Sequence, residues 1–64
     1  SKHKLRKCTV AALDLAAGTV IGNFNVRFKS PEIDGAVPAD RTAWGKKLTR
    51  SVAEDDPIML SDLE

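Results

Sequence analysis

The amino-acid sequence predicts one small, mainly β domain built from two related halves. The chain has 64 residues, a length that buries only about 60% of the surface of the unfolded chain and leaves no room for two separate cores. Two stretches of similar design, residues 15–21 and residues 52–58, each place aliphatic or β-branched residues around a turn. Neither half is large enough to bury its own apolar side, so we expect the two halves to pack against each other.

The first half contains "CTVAALDLAAG" at residues 8–18, which has two local interpretations. Its alanines and leucines favour a helix with one apolar face. Alternatively, residues 9–12 and 19–21 are extended, and Gly18 supplies the positive φ that a tight turn between them requires. The local pattern alone does not decide between them.

The second half favours the extended interpretation. Pro57 lacks an amide donor and follows an acidic turn at residues 54–56, so a continuous helix cannot run through this stretch. By analogy, the first half is also strand, turn and strand. A two-residue slip in the alignment of the halves then places Asn23–Phe24 on Asp62–Leu63.

The middle of the chain is predicted to be less regular. Prolines and a glycine punctuate residues 29–38, which we expect to form a long loop. A short helix is predicted over residues 39–44, with Asp40 near its start and Gly45 as its C-terminal stop. Residues 47–52 alternate loosely and are predicted to form a short strand.

The expected core is mainly aliphatic, because the chain has only two Phe and one Trp. The residues predicted to be buried are Val10, Leu13, Leu15, Val20, Ile21, Phe24, Val26, Trp44, Leu48, Val52, Ile58, Met59 and Leu63.

Charge and composition restrict the possible partners. Ten basic and nine acidic residues give a net charge of +1, too small for long-range attraction to nucleic acid or to an anionic membrane. The basic residues 2–7 fall in a predicted flexible linker, residues 1–8, with the domain proper at residues 9–64.

No signal peptide or membrane span is recognisable, and the single cysteine suits a reducing compartment, so a cytoplasmic location is expected. A start at Ser1 without Met suggests a piece of a longer protein.

Few side chains suggest chemistry within the chain itself. His3 and Cys8 could pair as base and nucleophile, but no third residue is placed to orient the base, and Cys8 is better explained as a small strand residue. The acidic residues near the C-terminus lack the spacing of a calcium loop and are expected to form a solvated edge: Asp55, Asp56, Asp62 and Glu64. Trp44 could be a stacking platform, but its setting is more typical of a lid over the core.

A series of short motifs carries a resemblance to a known family. In order they are "DLAAGTVI", an Asn-Phe pair, a Ser-Pro loop that leads to a glycine, "PAD", "WGKKL" and a closing "SDLE". Over about residues 9–63, this order resembles the antifreeze-like, or SAF, domain found at the C-terminus of sialic acid synthases, and it is similar to type III antifreeze proteins. The resemblance implies a β-clip fold of short strands and one-turn helices, with its halves related by a pseudo-twofold axis.

The resemblance also implies a function. The domain would not be an enzyme by itself. The parent would be an N-acetylneuraminate synthase type of transferase, in which a barrel holding a divalent metal condenses phosphoenolpyruvate with an N-acyl amino sugar. The domain would need no cofactor of its own, and it would cap the active site on the barrel of a second subunit in a homodimer.

The resemblance places the sugar contact at residues 27–29. Many bacterial members have Val-Lys-Arg-Pro-Gly here, whereas this chain has Arg27 at the lysine position and Phe28 at the arginine position, with Lys29 next. The alternative interpretation is structural, with exposed Arg27 and Lys29 flanking an inward Phe28. Ice binding through residues 18–25 is the rival function, although Phe24 and two asparagines disfavour a flat apolar plane. A stand-alone carbohydrate-binding module is a further alternative.

Overall fold

The computed structural model describes residues 7–30 and 33–64. Two strands, β1 (Cys8–Ala11) and β2 (Val26–Lys29), pair in antiparallel fashion, with Cys8 opposite Lys29 and Ala11 opposite Val26. The helical element of the described part is one 3₁₀ turn, Leu60–Asp62. β1 begins one residue before the predicted first strand. The mainly β prediction is confirmed.

Single-residue β-bridges connect the two halves of the domain. Leu15 and Val52 exchange reciprocal backbone hydrogen bonds of 2.8 Å each. These two residues occupy equivalent positions in the two halves, as expected for residues that face each other across a two-fold axis. The bridge Val20 to Lys47 has its counterpart in the bridge Val10 to Pro57. The residue offset from Leu15 to Val52 also leads from Val20 to Pro57 and from Val10 to Lys47. The two bridges are therefore equivalent, and the pseudo-twofold prediction is confirmed.

The turns obey the same symmetry. The amide of Gly18 donates to Leu48 O at 2.7 Å, and in the other half the amide of Asp55 donates to Ala11 O at 2.8 Å. Gly18 has φ +90° and Asp55 has φ +70°, so the two equivalent positions adopt the same left-handed conformation. Glycine and aspartate are both tolerated in this region of the backbone.

The alignment of the halves has no slip. The carboxamide of Asn25 accepts a hydrogen bond from the amide of Gly22 at 3.0 Å. At the equivalent place, the carboxylate of Asp62 accepts one from the amide of Met59 at 3.1 Å. Asn25 therefore corresponds to Asp62, and the predicted match of Asn23 to Asp62 was wrong.

The core consists of two buried clusters. The larger comprises Ala11, Leu15, Ile21, Val37, Ala43, Leu48, Val52 and Ile58, with Val26, Trp44 and Leu63 packed against it. The smaller comprises Cys8, Val10 and Ala36, with Met59 alongside. Ten of the thirteen predicted core residues lie in or against these clusters.

Three predicted core residues are instead exposed. Leu13 and Val20 are each 48% exposed, and Phe24 is 79% exposed. Val20 precedes the buried Ile21, and consecutive residues of an extended segment point to opposite sides. Leu13 lies in the bend after β1, and Phe24 lies in a turn, so neither is directed at the core by a strand.

The predicted helix over residues 39–44 is absent, and turns take its place. The amide of Trp44 donates to Arg41 O at 3.0 Å, and Gly45 reverses the chain with φ +85°. The amide of Gly45 then donates to Ile21 O at 2.8 Å. This long-range bond occupies the Gly45 amide, which would otherwise be available to donate within a helix.

The two other predicted strands are also shorter than expected. Residues 19–21 and 47–52 contain only isolated bridges, separated by bends and irregular backbone. Their backbone groups pair with the opposite half one residue at a time, so no continuous ladder forms.

Replacing Gly18 tests the left-handed turn. A Cβ at Gly18 would meet no atom within 4 Å, so any cost of Gly18→Ala comes from the backbone conformation alone. We expect a loss of about 1 kcal/mol, which lowers Tm by about 4–8 °C in a domain of this size. Thermal unfolding followed by circular dichroism measures it. The neighbouring Ala17→Ser should stay within about 0.5 kcal/mol, and equal effects of the two changes would contradict the explanation.

Candidate functional site

The exposed strand β2 positions the three predicted sugar-contacting residues. Because side chains alternate along a strand, Arg27 and Lys29 project from one face and Phe28 from the other. Phe28 is 42% exposed, so the prediction of an inward Phe28 was wrong. The strand is held to the buried β1, which gives these side chains a rigid base.

The two cations of β2 lie over the acidic turn of the second half. Lys29 Nζ is 3.2 Å from Asp55 Oδ1, whereas the guanidinium of Arg27 is 3.8 Å from Asp55 and 3.9 Å from Glu54. Arg27 also donates to Ala12 O at 3.1 Å. All four charged side chains are about half exposed, so these ion pairs contribute little stability. Arg27 thus contacts the acidic turn and the backbone of Ala12, whereas Lys29 contacts Asp55.

An apolar groove of about 280 Å³ opens beside β2. Its walls combine aromatic, aliphatic and polar side chains: Asn23, Val26, Arg27, Phe28 and Trp44. We call this feature the aromatic groove. It brings together two of the three predicted site residues, Arg27 and Phe28, whereas Lys29 is not among the lining residues.

Trp44 forms one wall of the aromatic groove and also packs against the larger core cluster. It therefore acts as the expected lid and contributes to a surface as well. Its indole Nε1 is buried without a hydrogen-bond partner among the described residues, an arrangement that costs about 1–3 kcal/mol. The guanidinium of Arg41 lies 5.2 Å from the centre of the indole ring, within the range of a cation–π contact.

A second, more polar cleft of about 620 Å³ lies where the two halves meet. Leu15 and Val52 line it together with Asp14, Ala16, Arg50, Ser51, Ala53 and Asp56. The carboxylate of Asp14 accepts a hydrogen bond from the amide of Glu54 at 2.8 Å, and so ties one half to the turn of the other. The Asp14 carboxylate, which lines this cleft, is thus already used to join the halves.

Asp62 is buried, so the prediction that it belongs to a solvated acidic edge was wrong. Its Oδ1 accepts a hydrogen bond from Arg50 Nε at 2.8 Å, and its Oδ2 accepts from the amide of Met59. Burial raises the pKa of Asp62, but the hydrogen bonds from Arg50 and Met59 and the charge of Arg50 outweigh burial and hold the pKa below its usual value. Asp55, Asp56 and Glu64 are exposed as predicted.

A family model described as the SAF domain matches residues 6–64. The chain belongs to the SAF domain family. This assignment confirms the resemblance that the motif order indicated.

A solved structure supports the fold of this SAF domain. This SAF domain is similar to a Chromobacterium violaceum protein assigned as spore coat polysaccharide biosynthesis protein E, with a TM-score of 0.82 and 31% sequence identity. The match covers 94% of this chain and 18% of that protein's chain. No curated protein matches the chain. The SAF domain is thus similar to a small part of a much longer carbohydrate-related protein.

His3 and Cys8 are the remaining candidates from the sequence. His3 lies outside the described residues, as do residues 2–6 of the basic segment. Cys8 is buried in β1, as expected of a small strand residue. In residues 7–30 and 33–64 no three His, Cys, Asp or Glu side chains cluster to hold a metal ion. No helix in these ranges has the length and apolar character needed to cross a membrane.

The assembly of the aromatic groove is not evident from the sequence. The pattern around Trp44 fits a lid or a platform but does not connect Trp44 with β2, because the middle loop separates the two in the chain. Asn23 gave no signal, since asparagine in a turn is ordinary. Only the tertiary packing places Asn23 and Trp44 beside Arg27 and Phe28.

Proposed function

We propose that this SAF domain is an accessory domain of a carbohydrate-biosynthesis enzyme of the sialic acid synthase type. It caps the active site of a partner subunit and helps to bind an N-acyl amino sugar during condensation with phosphoenolpyruvate. The observation that supports the proposal best is that 94% of this chain is similar to a part, 18%, of a protein assigned to polysaccharide biosynthesis. The family match over residues 6–64 supports it independently of that single structure.

The surface of β2 suits this role. A guanidinium can form forked hydrogen bonds to an acyl oxygen or carboxylate, whereas an ammonium acts as a point charge. Arg27 is half exposed, and its contacts among the described residues are ion pairs of 3.8 and 3.9 Å and a hydrogen bond to Ala12 O. We therefore assign the main sugar contact to Arg27, with Phe28 as an apolar neighbour and Lys29 in a lesser role.

The domain would assist chemistry that takes place elsewhere. A capping domain excludes water from the reacting groups and fixes the orientation of the substrate. In this proposal the divalent metal is held by the catalytic barrel. The SAF domain supplies binding and closure.

Steady-state kinetics of the longer enzyme test the proposal. Removing the SAF domain should raise KM for the sugar at least tenfold and leave KM for phosphoenolpyruvate unchanged, because only the sugar contacts are lost. Arg27→Ala should raise KM for the sugar roughly tenfold, the effect of losing one charge-assisted hydrogen bond. Lys29→Ala should have a smaller effect, and Lys47→Ala, an exposed cation outside β2, should have none.

Two results would contradict the proposal. One is an unchanged KM for the sugar after removal of the domain. The other is a coding sequence that carries no phosphoenolpyruvate-condensing barrel together with this domain.

A further inference from the structure

An aspartate followed directly by a glycine lies in an exposed turn of the middle loop. Asp34 and Gly35 form this turn, which is closed by a hydrogen bond of 3.0 Å from the Ala36 amide to Ile33 O. Asp34 is exposed, and its carboxylate makes no hydrogen bond or ion pair with any residue in 7–30 or 33–64. Nothing in the described part of the chain therefore holds this carboxyl away from the main chain beside it.

The amide of Gly35 is available to react with that carboxyl. Within the described ranges it donates no backbone hydrogen bond. Glycine has no side chain to hinder approach to its nitrogen, and the φ of Gly35, +84°, is one that other residues rarely adopt. A Cβ at this position would also lie 3.3 Å from Met59 Cε. The turn thus favours glycine after Asp34, so the reactive pair is a consequence of the fold.

The other aspartates of the chain lack this combination of a free carboxyl and a free amide. The amides that follow Asp14, Asp55 and Asp62 each donate to a carbonyl oxygen, at 2.8, 3.0 and 3.2 Å respectively. The residue after Asp56 is a proline, which has no N–H. Asp40 already accepts a hydrogen bond through its carboxylate, at 2.8 Å. The structure therefore singles out Asp34 among the six.

We propose that Asp34–Gly35 is a modification site, at which the chain converts spontaneously to an L-isoaspartyl linkage. The nitrogen of Gly35 attacks Cγ of Asp34, and its proton leaves with a carboxyl oxygen as water, which closes a cyclic succinimide. Water then opens the ring at either carbonyl. Cleavage of the new Cγ–N bond restores aspartate, whereas cleavage of the original peptide bond leaves the main chain running through the side-chain carbon. One water is lost and one is gained, so no oxidant or cofactor takes part.

The modified linkage would disturb the backbone pairing that follows it. The carbonyl of Gly35 accepts from the Leu60 amide at 2.8 Å, and Ala36 forms a β-bridge with Met59. An isoaspartyl linkage adds one carbon to the main chain directly before these contacts. The modified chain should therefore melt roughly 5 °C below the unmodified one, as expected for the loss of about one hydrogen bond in a small domain.

The product also defines a class of partner. Ring opening to the isoaspartyl form leaves a free α-carboxylate on residue 34, in a turn that is exposed. Such a carboxylate is the group that isoaspartyl-directed methyltransferases methylate, using S-adenosylmethionine as the methyl donor. Esterification makes the carboxylate a better leaving group and returns the linkage to the succinimide, so the modified turn is a substrate for this type of repair enzyme.

Incubation of the purified 64-residue chain at neutral pH tests the proposal. Methyl transfer from labelled S-adenosylmethionine counts the isoaspartyl linkages, and electron-transfer fragmentation of a proteolytic peptide locates them. The signal should grow with time and map to residue 34. Asp34→Glu should lower it at least about tenfold, because the larger ring closes over a higher barrier. Asp34→Asn should accelerate succinimide formation at least about tenfold, because ammonia leaves more readily than water.

Asp56→Glu is the matched control. Asp56 is an exposed aspartate, but Pro57 after it has no N–H to attack its carboxyl. The change should leave the signal within about twofold of that of the unchanged chain, a negligible difference in barrier. Equal signals from Asp34→Glu and the unchanged chain would place the modification elsewhere and overturn the proposal.

A comparison of the folded and unfolded chain separates the turn from the sequence alone. The same assay in urea gives the rate when no tertiary contact acts on Gly35. A folded rate within about tenfold of the unfolded rate supports the proposal, because the turn then leaves the two reacting groups free to meet. A larger reduction would mean that the fold protects Asp34, and the proposal would be wrong.

Discussion

Asn25→Asp is expected to destabilise the domain by about 3 kcal/mol or more at neutral pH, because it buries a charge without a counter-ion. Asn25 is only 3% exposed. Its Oδ1 accepts from the amide of Gly22, and its Nδ2 donates to Val20 O at 3.0 Å. A carboxylate would keep the first bond but place a negative oxygen against the carbonyl of Val20. A chain of 64 residues has a total stability of roughly 3–10 kcal/mol, so the loss is a large fraction of it.

The second half shows what an aspartate needs at this position. Asp62 is the equivalent of Asn25, and it is buried because Arg50 donates to both of its oxygens, at 2.8 and 3.2 Å. The residue equivalent to Arg50 in the first half is Leu13, which provides no charge. Leu13→Arg should therefore restore at least about 1 kcal/mol to Asn25→Asp, within the usual range for coupled neighbours. Leu13→Arg alone should have little effect, since Leu13 is half exposed.

Urea unfolding of the four chains in this double-mutant cycle measures the coupling. The loss caused by Asn25→Asp should also become smaller as the pH falls, because a buried unpaired carboxyl has a raised pKa and becomes neutral on protonation. If Leu13→Arg stabilises the wild-type chain and Asn25→Asp equally, the assignment of Leu13 as the equivalent of Arg50 is wrong.

Ile58→Ala is the second change with a large expected effect, about 2–5 kcal/mol of lost stability. Ile58 is fully buried in the larger core cluster. Its amide donates to Thr9 O at 3.0 Å, and its carbonyl accepts from the amide of Val37 at 2.8 Å. These bonds fix the backbone on both sides, so the surrounding residues cannot readily close the cavity that the missing atoms leave.

The nearby Leu60→Ala is the control for Ile58→Ala. Leu60 is 49% exposed, and its truncation should cost less than about 1 kcal/mol. Chemical denaturation gives both values. If Ile58→Ala does not unfold the domain, the ratio of the two losses tests the burial argument. A loss below about 1 kcal/mol for Ile58→Ala would mean that the second half is not part of one cooperative core.

Much of the fold could be predicted from residue types. Pro57 and the acidic turn ruled out a helix in the second half, and Gly18 marked the matching turn in the first. Ten of the predicted core positions are buried or packed against the core, because large aliphatic side chains in a small domain have few other places to go. The order of the short motifs then led to the family, which the match over residues 6–64 established.

The candidate site was only partly accessible from the sequence. Arg27 and Phe28 were chosen by their position relative to the family motif, and both line the aromatic groove. That Trp44 lines the same groove as Arg27 and Phe28 could not be predicted, because no local pattern in the sequence shows which distant turn packs beside β2. The exposure of Phe24 was mistaken for burial, since residue type alone does not show on which side of a turn a ring lies.

The sequence by itself determined a mainly β domain of two related halves, the left-handed turn at Gly18 and the aliphatic character of its core. These features follow from local sterics and from the hydrophobic effect, which act through residue type. Only the tertiary structure decided the register of the halves, the absence of the predicted helix over residues 39–44 and the assembly of the aromatic groove. The reason is physical: long-range, single-residue bridges such as Leu15 to Val52 join the halves, and a bridge of one residue leaves no periodic pattern in the chain.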